Sequence, residues 1–187
     1  MSSLVEADQV EVLVVVDNVT DNLSSTPLFV ENEWPRLWTR GMRALSGRCL
    51  CCAAHGLSCA ITVRRGAQAR TLLFDTGPDE VVFERNVERL GFDIGSVEGI
   101  VLSHGHWDHS GAMLRALQMI RQRNGGREVP TYNAPRDVPN PRYEGCRRFL
   151  SAVRRRAKRG AANAAWSRSC ARDSAPVGAR RPCLHKR

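Results

Sequence analysis

The sequence predicts an α/β layered domain, and three observations lead to this fold class. Short β-branched runs alternate along the chain with stretches in which apolar residues recur every three or four positions. Up to residue 126, the predicted elements follow the order strand, β-hairpin, helix, strand and helix. With 187 residues, of which 42% are apolar, the chain is also long enough to enclose a hydrophobic core.

The first half of the chain contains three predicted strands. Residues 10–16 form a β-branched run of strand length, followed by a turn-favouring Asp-Asn pair. Residues 57–63 and 70–74 are two further runs, and the connection at 65–68 predicts a β-hairpin between them. Residues 20–50 show no clear period, so we expect a long loop there with room for one short helix.

Two amphipathic helices are predicted on either side of a short apolar strand at residues 99–102. The first helix has Thr76 as its predicted N-cap and ends at Gly91. Apolar residues recur at helical spacing in both helices: Phe83, Val87 and Leu90 in the first, and Met113, Leu114, Leu117 and Ile120 in the second. The second helix ends at the Asn-Gly-Gly turn of residues 124–126.

The positive charge of the protein belongs to one end of the chain. The formal net charge is +9, but residues 1–141 carry −3 and residues 142–187 carry +12. Four prolines between residues 130 and 141 interrupt regular structure, and almost no Leu, Ile or Phe occurs after residue 150. We therefore predict a domain at residues 1–132 and a disordered Pro-, Arg- and Ala-rich tail at residues 133–187.

The basic tail keeps a second functional class open, that of a nucleic-acid-binding protein. Its arginine runs could neutralise phosphates and support salt-dependent binding without sequence preference. Only Tyr143, Phe149 and Trp166 offer stacking groups in this region, and no recognition fold is apparent. Any nucleic-acid contact is therefore expected to be non-specific and confined to the tail.

The sequence shows no membrane-spanning or export signal. The longest early apolar run covers five residues, 12–16, whereas a bilayer requires about 20. We therefore expect a cytoplasmic protein with reduced thiols, and the odd number of seven cysteines agrees with this. Cys49, Cys51, Cys52 and Cys59 lack paired Cys-x-x-Cys spacing, which favours small buried residues over a structural zinc site.

The strongest chemical signal is the segment Ser-His-Gly-His-Trp-Asp-His at residues 103–109, between a predicted strand and a helix. Imidazole and carboxylate groups are ligands that zinc, manganese and iron accept at one site. In an extended segment, residues two apart project the same way, so His104 and His106 can converge on one ion. The chain then turns, which lets Asp108 and His109 face a second ion, and two ions can together activate a water molecule.

The pattern His-x-His-x-Asp-His after an apolar strand resembles that of the metallo-β-lactamase-fold hydrolases. Residues 14–18, 54–58, 73–78 and 101–106 are similar to a subgroup of this superfamily. That subgroup is related to the archaeal 7,8-dihydropterin-6-methyl-4-(β-D-ribofuranosyl)aminobenzene-5′-phosphate synthase. The resemblance extends over residues 10–132 and ends there.

This resemblance implies an αββα sandwich of which only the N-terminal half is represented. It implies two divalent metal ions, zinc first with manganese or iron as alternatives. His104 and His106 would hold one ion, and Asp108 and His109 the other. Asp108 would also carry the proton in catalysis, on a small phosphorylated or pterin-like substrate.

Two further residues receive roles through the resemblance. Asp75 would be a buried acid that supports the metal loop, and its alternative is an ordinary cap at the end of a strand. His55 would lie near the substrate pocket, and its alternative is an ordinary surface histidine.

The family pattern is incomplete after residue 132. A second half-sandwich would supply a further histidine, but His185 is the only later one in this chain. A zinc site needs at least three protein ligands, and His104 and His106 provide two. We therefore expect an incomplete or frame-shifted member, and a non-catalytic remnant is a further alternative to an enzyme.

Overall fold

The computed structural model describes residues 5–21 and 23–133. It contains one sheet whose strands lie in the order β1 (Gln9–Val16), β2 (Ser58–Arg65), β3 (Gln68–Phe74), β4 (Val97–Leu102) and β5 (Thr131–Asn133). The first three strands are antiparallel, whereas β4 pairs parallel to β3 and β5 parallel to β4. The helices are α1 (Glu33–Thr39), α2 (Glu80–Leu90), α3 (Trp107–Ser110) and α4 (Met113–Arg123). The predicted α/β class is confirmed.

Most predicted elements are present with shifted ends. The hairpin turn is shorter than predicted, because Arg65 pairs with Gln68 and only two residues remain between the strands. Gly66 takes the first of these positions with a φ of 54°, a conformation that glycine favours in two-residue hairpin turns. The long loop contains its one short helix, α1, and a 3-10 turn at Ile94–Ser96 precedes β4.

The N-cap of α2 is Asp79, so the prediction of Thr76 at this position is wrong. The Asp79 side chain accepts hydrogen bonds from the backbone N–H groups of Val81 and Val82, each at 2.9 Å. Thr76 instead donates its backbone N–H and its hydroxyl to the carbonyl oxygen of His109, at 2.8 and 3.1 Å. Thr76 therefore joins two loops rather than starting a helix. Gly91 ends α2 as predicted.

The hydrophobic core lies between one face of the sheet and the helices α2 and α4. Alternate strand residues point into it, and helix residues cover them: Val15, Ala60, Leu73, Ile100 and Leu102 from the strands, and Phe83, Val87, Met113, Ala116 and Ile120 from the helices. None of the helices in the described ranges has the length and apolar character needed to cross a membrane. The tail predicted after residue 132 lies outside the described residues, apart from Asn133, which belongs to β5.

A buried amide clamps α2 to the sheet and to the loop that precedes β2. The Asn86 side-chain nitrogen donates to the carbonyl oxygens of Val15 and Cys52, at 2.8 and 2.9 Å. Its side-chain oxygen accepts from the N–H of Cys52 at 2.8 Å. These three bonds fix the end of β1 and the start of the segment that carries His55.

We expect Asn86→Ala to lower the free energy of unfolding by about 2–4 kcal/mol, because one buried and two partly buried backbone groups lose their partner. Urea unfolding followed by circular dichroism measures this change. The exposed Asn18→Ala variant is the matched control and should change stability by less than about 0.5 kcal/mol. Equal stability losses in the two variants would contradict the clamp.

Candidate metal centre

The histidine-rich segment lies at the carboxyl end of β4, where the sequence changes from an apolar strand to polar residues. Leu102 is the last residue of the strand, and α3 begins at Trp107. His106 keeps an extended backbone at the start of α3, and its carbonyl oxygen accepts from the Ser110 hydroxyl at 2.7 Å. The chain bends at Ser103 directly after the strand and is extended again at His106.

A second loop, residues 75–77 after β3, lies beside this segment because parallel strands end at the same edge of a sheet. The backbone N–H of Asp75 donates to the carbonyl oxygen of Val101 at 2.8 Å. Further along, the N–H of Ala112 donates to the carbonyl oxygen of Gly77 at 3.1 Å. The two loops are thus held together at both ends.

Three of the predicted ligands converge on one point. One potential ligand atom each from His104, His106 and Asp108 lies within 4.8 Å of the other two. Ligand atoms around one tetrahedral zinc ion lie roughly 3.4 Å apart, so a small inward movement of the side chains would close the site. Two histidines and one carboxylate are a donor set that catalytic zinc accepts. Within residues 5–21 and 23–133, no other His, Cys, Asp and Glu side chains form such a group.

His109 completes the cluster at its inner side. Its Nε2 lies 3.3 Å from Asp108 Oδ2, and its ring centre lies 4.2 Å from that of His104. The structure therefore brings together all four residues of the predicted site. The division of these residues between two ions remains a prediction.

Asp75 is fully buried under the cluster, and its carboxylate has a hydrogen-bond donor on each oxygen. Oδ1 accepts from the N–H of Ser103 at 2.8 Å, and Oδ2 accepts from the Ser103 hydroxyl at 2.7 Å. Oδ2 also lies 2.8 Å from Nδ1 of His109. Asp75 adopts a left-handed φ of 54°, which aspartate tolerates better than bulkier residues do.

These bonds determine which nitrogen of each imidazole carries a proton. A carboxylate only accepts, so Nδ1 of His109 donates to Asp75 and the lone pair remains on Nε2. The Ser103 hydroxyl gives its hydrogen to Asp75, so its oxygen accepts from Nδ1 of His104, 2.9 Å away. His104 therefore also presents an unprotonated Nε2. The buried carboxylate of Asp75 thus orients His104 and His109 with an unprotonated Nε2 that can bind a metal ion.

The electrostatic environment favours the neutral form of His104. Burial is the largest cause that lowers the pKa of this imidazole, and the neighbouring His109 and His106 lower it further. Neutral imidazole is the form that binds a metal ion. The cluster is thus prepared for a cation before one binds.

Comparison with known proteins agrees with this geometry. Residues 57–118 match the family model of the metallo-beta-lactamase superfamily. They include β2, β3, the Asp75 loop and the whole histidine-rich segment. Over these residues, about a third of the chain, the sequence is similar to the metallo-beta-lactamase superfamily.

A curated relative covers a similar part of the chain. It is the 7,8-dihydropterin-6-methyl-4-(beta-D-ribofuranosyl)-aminobenzene-5'-phosphate synthase of Methanocaldococcus jannaschii, 31% identical over 81 residues, which is 43% of this chain and 26% of the relative. The chain thus spans about a quarter of the length of this relative.

Solved structures also resemble parts of the chain. A metallo-beta-lactamase from Cronobacter sakazakii is 20% identical and has a TM-score of 0.27, with 44% of this chain and 40% of that chain covered. The metallo-beta-lactamase GOB-18 from Elizabethkingia meningoseptica is 18% identical and has a TM-score of 0.29, with 46% and 42% covered. The similarity to the superfamily rests on the family model, and the geometry of the histidine-rich segment agrees with it.

His55 lies at the solvent-exposed rim of the candidate metal site. Its side chain is 73% exposed, and its Nε2 lies 3.8 Å from Asp108 Oδ2. The following residue, Gly56, packs against the metal loop so closely that a Cβ atom there would lie 2.0 Å from the carbonyl oxygen of Asp108. Glycine at this position therefore allows the loop that carries His55 to reach the cluster.

Ser103 and Trp107 belong to the site, although no role for them was predicted from the sequence. Ser103 connects Asp75 to His104, and Trp107 is 61% exposed with its ring 5.8 Å from that of His55. Both residues lie within the segment 103–109, and this position in the motif is the feature of the sequence that could have indicated their part in the site. The function of Ser103 depends on a hydroxyl bond to a residue 28 positions away, which spacing along the chain does not show.

The cysteines agree with the interpretation as small structural residues. Cys49 and Cys59 are buried, and Cys51 and Cys52 are partly buried. In the described ranges, none of them belongs to a group of three potential metal ligands. Burial, followed by the negative charge of Glu33, raises the pKa of the Cys51 thiol to about 12.

We expect Asp75→Asn to weaken metal binding by about 10- to 100-fold, because an amide cannot accept every bond that the carboxylate accepts. Competition with a chromophoric chelator measures the affinity, and circular dichroism shows whether the variant is folded. Asp93→Asn is the matched control, since Asp93 caps a turn outside the site. A folded Asp75→Asn protein with the affinity of the native chain would refute the role of Asp75.

We also expect Cys51 to react slowly with iodoacetamide at pH 8, where only about one thiol in 10⁴ is ionised at the raised pKa. Peptide mass spectrometry after timed labelling measures the rate at each cysteine. Glu33→Gln should accelerate labelling of Cys51, because it removes a nearby negative charge that opposes ionisation. Labelling of Cys51 as fast as a cysteine in an unfolded peptide would contradict this expectation.

Proposed function

We propose that this chain carries the metal-binding half of a metal-dependent hydrolase that acts on a small phosphorylated or pterin-like molecule. The observation that carries this proposal is the convergence of His104, His106 and Asp108 within 4.8 Å, in a segment of the metallo-β-lactamase superfamily. The donor set fits divalent cations, with zinc first and manganese or iron as alternatives.

His104 and His106 would hold one cation, and Asp108 and His109 a second. Divalent ions bound there would supply a water molecule of lowered pKa, ready to attack at neutral pH. The side chains around the site orient the ligands for this chemistry. Asp75 and Ser103 keep lone pairs on Nε2 of His104 and His109, and the three loops keep the ligands close together.

Asp108 is the proposed proton carrier. Its Oδ2 lies between two imidazole nitrogens, 3.3 Å from Nε2 of His109 and 3.8 Å from Nε2 of His55. Because 3.8 Å exceeds hydrogen-bond distance, a proton accepted by the Asp108 carboxylate would reach the solvent-exposed His55 through one bridging water molecule. In this proposal His109 acts as a metal ligand, and His55 accepts the proton.

The exposed rings at the rim of the site favour a planar substrate. Trp107 and His55 present two exposed rings within 5.8 Å of each other, and exposed aromatic rings stack on flat heteroaromatic groups. The curated relative from Methanocaldococcus jannaschii is named for a dihydropterin product. These two observations favour a pterin-like ring over an extended aliphatic substrate.

Metal analysis of the purified full chain tests the proposed function. We expect close to two equivalents of zinc, manganese or iron after dialysis. His106→Ala should lose at least one equivalent, because it removes a ligand of the convergent group. His55→Ala is the matched control and should keep its metal, since His55 lies outside that group. Native protein that binds no more metal than His106→Ala would overturn the proposal.

A second measurement tests hydrolysis. Metal-loaded protein should cleave the general phosphodiester probe bis(p-nitrophenyl) phosphate, and Asp108→Asn should reduce the rate by about 10²- to 10⁴-fold. A chain that binds metal but does not cleave this or a pterin phosphate ester would instead be the non-catalytic remnant.

A further inference from the structure

Buried hydroxyl side chains are concentrated around the metal cluster. Four of them occur in the described part of the chain, and three of these bond to the backbone of the cluster or of its buried acid. Each donates to a carbonyl oxygen: Ser58 to Asp75 at 3.0 Å, Thr76 to His109 at 3.1 Å and Ser110 to His106 at 2.7 Å. A buried hydroxyl needs a partner, but it does not need one at the site, so this concentration points to a common function.

Thr76 differs from the other two because it connects a distant loop to a proposed ligand. Ser110 bonds to a carbonyl oxygen four residues back, a local pattern common for serine, and Ser58 bonds to Asp75, which is not a proposed ligand. Thr76 bonds to His109, 33 positions away, with its hydroxyl and also with its backbone N–H at 2.8 Å. Of the three, it is therefore the one that holds the backbone of a proposed ligand from outside α3.

His109 is held at its ring by Asp75 and at its backbone by the next residue, Thr76. Its Nδ1 lies 2.8 Å from Asp75 Oδ2, and its carbonyl oxygen accepts both bonds from Thr76. α3 has only four residues, and a helix of this length has little stability of its own. The orientation of the His109 backbone, and with it the direction in which Nε2 points, therefore depends on the bonds from residues 75 and 76.

We propose that Thr76 is a positioning residue for the second cation, because its hydroxyl fixes the backbone of His109 and thereby places Nε2 opposite Asp108. Nε2 of His109 lies 3.3 Å from Asp108 Oδ2, so a cation held by both side chains is sensitive to a small rotation of the His109 peptide. Loss of a residue that orients a ligand typically lowers metal affinity by about 10- to 100-fold. This inference rests on the proposed function, since it presumes the second cation.

Thr71 offers a matched comparison on β3, the strand that leads to Thr76. It is also a buried threonine, and its hydroxyl bonds to that of Thr62 at 2.9 Å. In the sheet it pairs with Val97, the first residue of β4, whereas the metal loop follows Leu102, the last one. Thr71→Val therefore removes a buried hydroxyl and its bond at the end of β4 that lies away from the metal loop.

Zinc titration of the metal-free full chain, in competition with a chromophoric chelator, tests this proposal because it gives a separate affinity for each of two cations. Thr76→Val keeps the size of the side chain and the backbone N–H but lacks the hydroxyl. We expect it to weaken binding of the second cation by about 10- to 100-fold and that of the first by less than about threefold. Thr76→Ser, which keeps the hydroxyl, should restore the native affinity for the second cation, and Thr71→Val should leave both affinities unchanged.

Urea unfolding shows whether each variant is folded, and Thr76→Ala replaces Thr76→Val if the latter is not. A Thr76→Val protein that binds both cations like the native chain overturns this proposal and leaves the proposed function intact. Failure of Thr76→Ser to restore the affinity, or an equal loss of affinity in Thr71→Val, overturns it as well, because the stability of the fold rather than the position of His109 would then govern binding. A native chain that binds fewer than two cations overturns the proposed function, and this proposal with it.

Discussion

The candidate site depends on one buried carboxylate. Asp75 has no exposed surface, and it is satisfied by bonds from Ser103 and His109, with His104 attached through the Ser103 hydroxyl. Without these donors, a charge at this depth would be strongly unfavourable, so the carboxylate and the metal loop require each other. The same bonds orient both imidazoles, and the ligand geometry is thus coupled to the stability of the fold.

This coupling is possible because β3 and β4 are parallel neighbours. Their carboxyl ends lie at one edge of the sheet, which places the turn 75–77 directly beside the segment 103–109. Helices α2 and α4 follow these two turns and cover the same face of the sheet, so the core behind the site holds both loops. Asn86 then positions the third loop, which carries His55, through its bonds to Cys52 and to Val15 near the carboxyl end of β1.

The two faces of the sheet serve different purposes. The inner face forms the core with α2 and α4, and the opposite face carries the exposed side chains of Val10, Val12 and Val14. The site itself lies at the edge between these faces.

The sequence by itself determined the elements and the ligand cluster, because both depend on residues that are close together in the chain. Periodicity predicted β1, α2 and α4, and the alternate spacing of His104 and His106 predicted their convergence, to which the structure adds Asp108. Only the tertiary structure decided that Asp79 caps α2, because Thr76 bonds to His109, 33 positions away. It also decided the roles of Ser103 and Asn86, whose partners lie 28 and up to 71 positions away. Such bonds form only once the sheet has brought distant segments together, so no local pattern reports them.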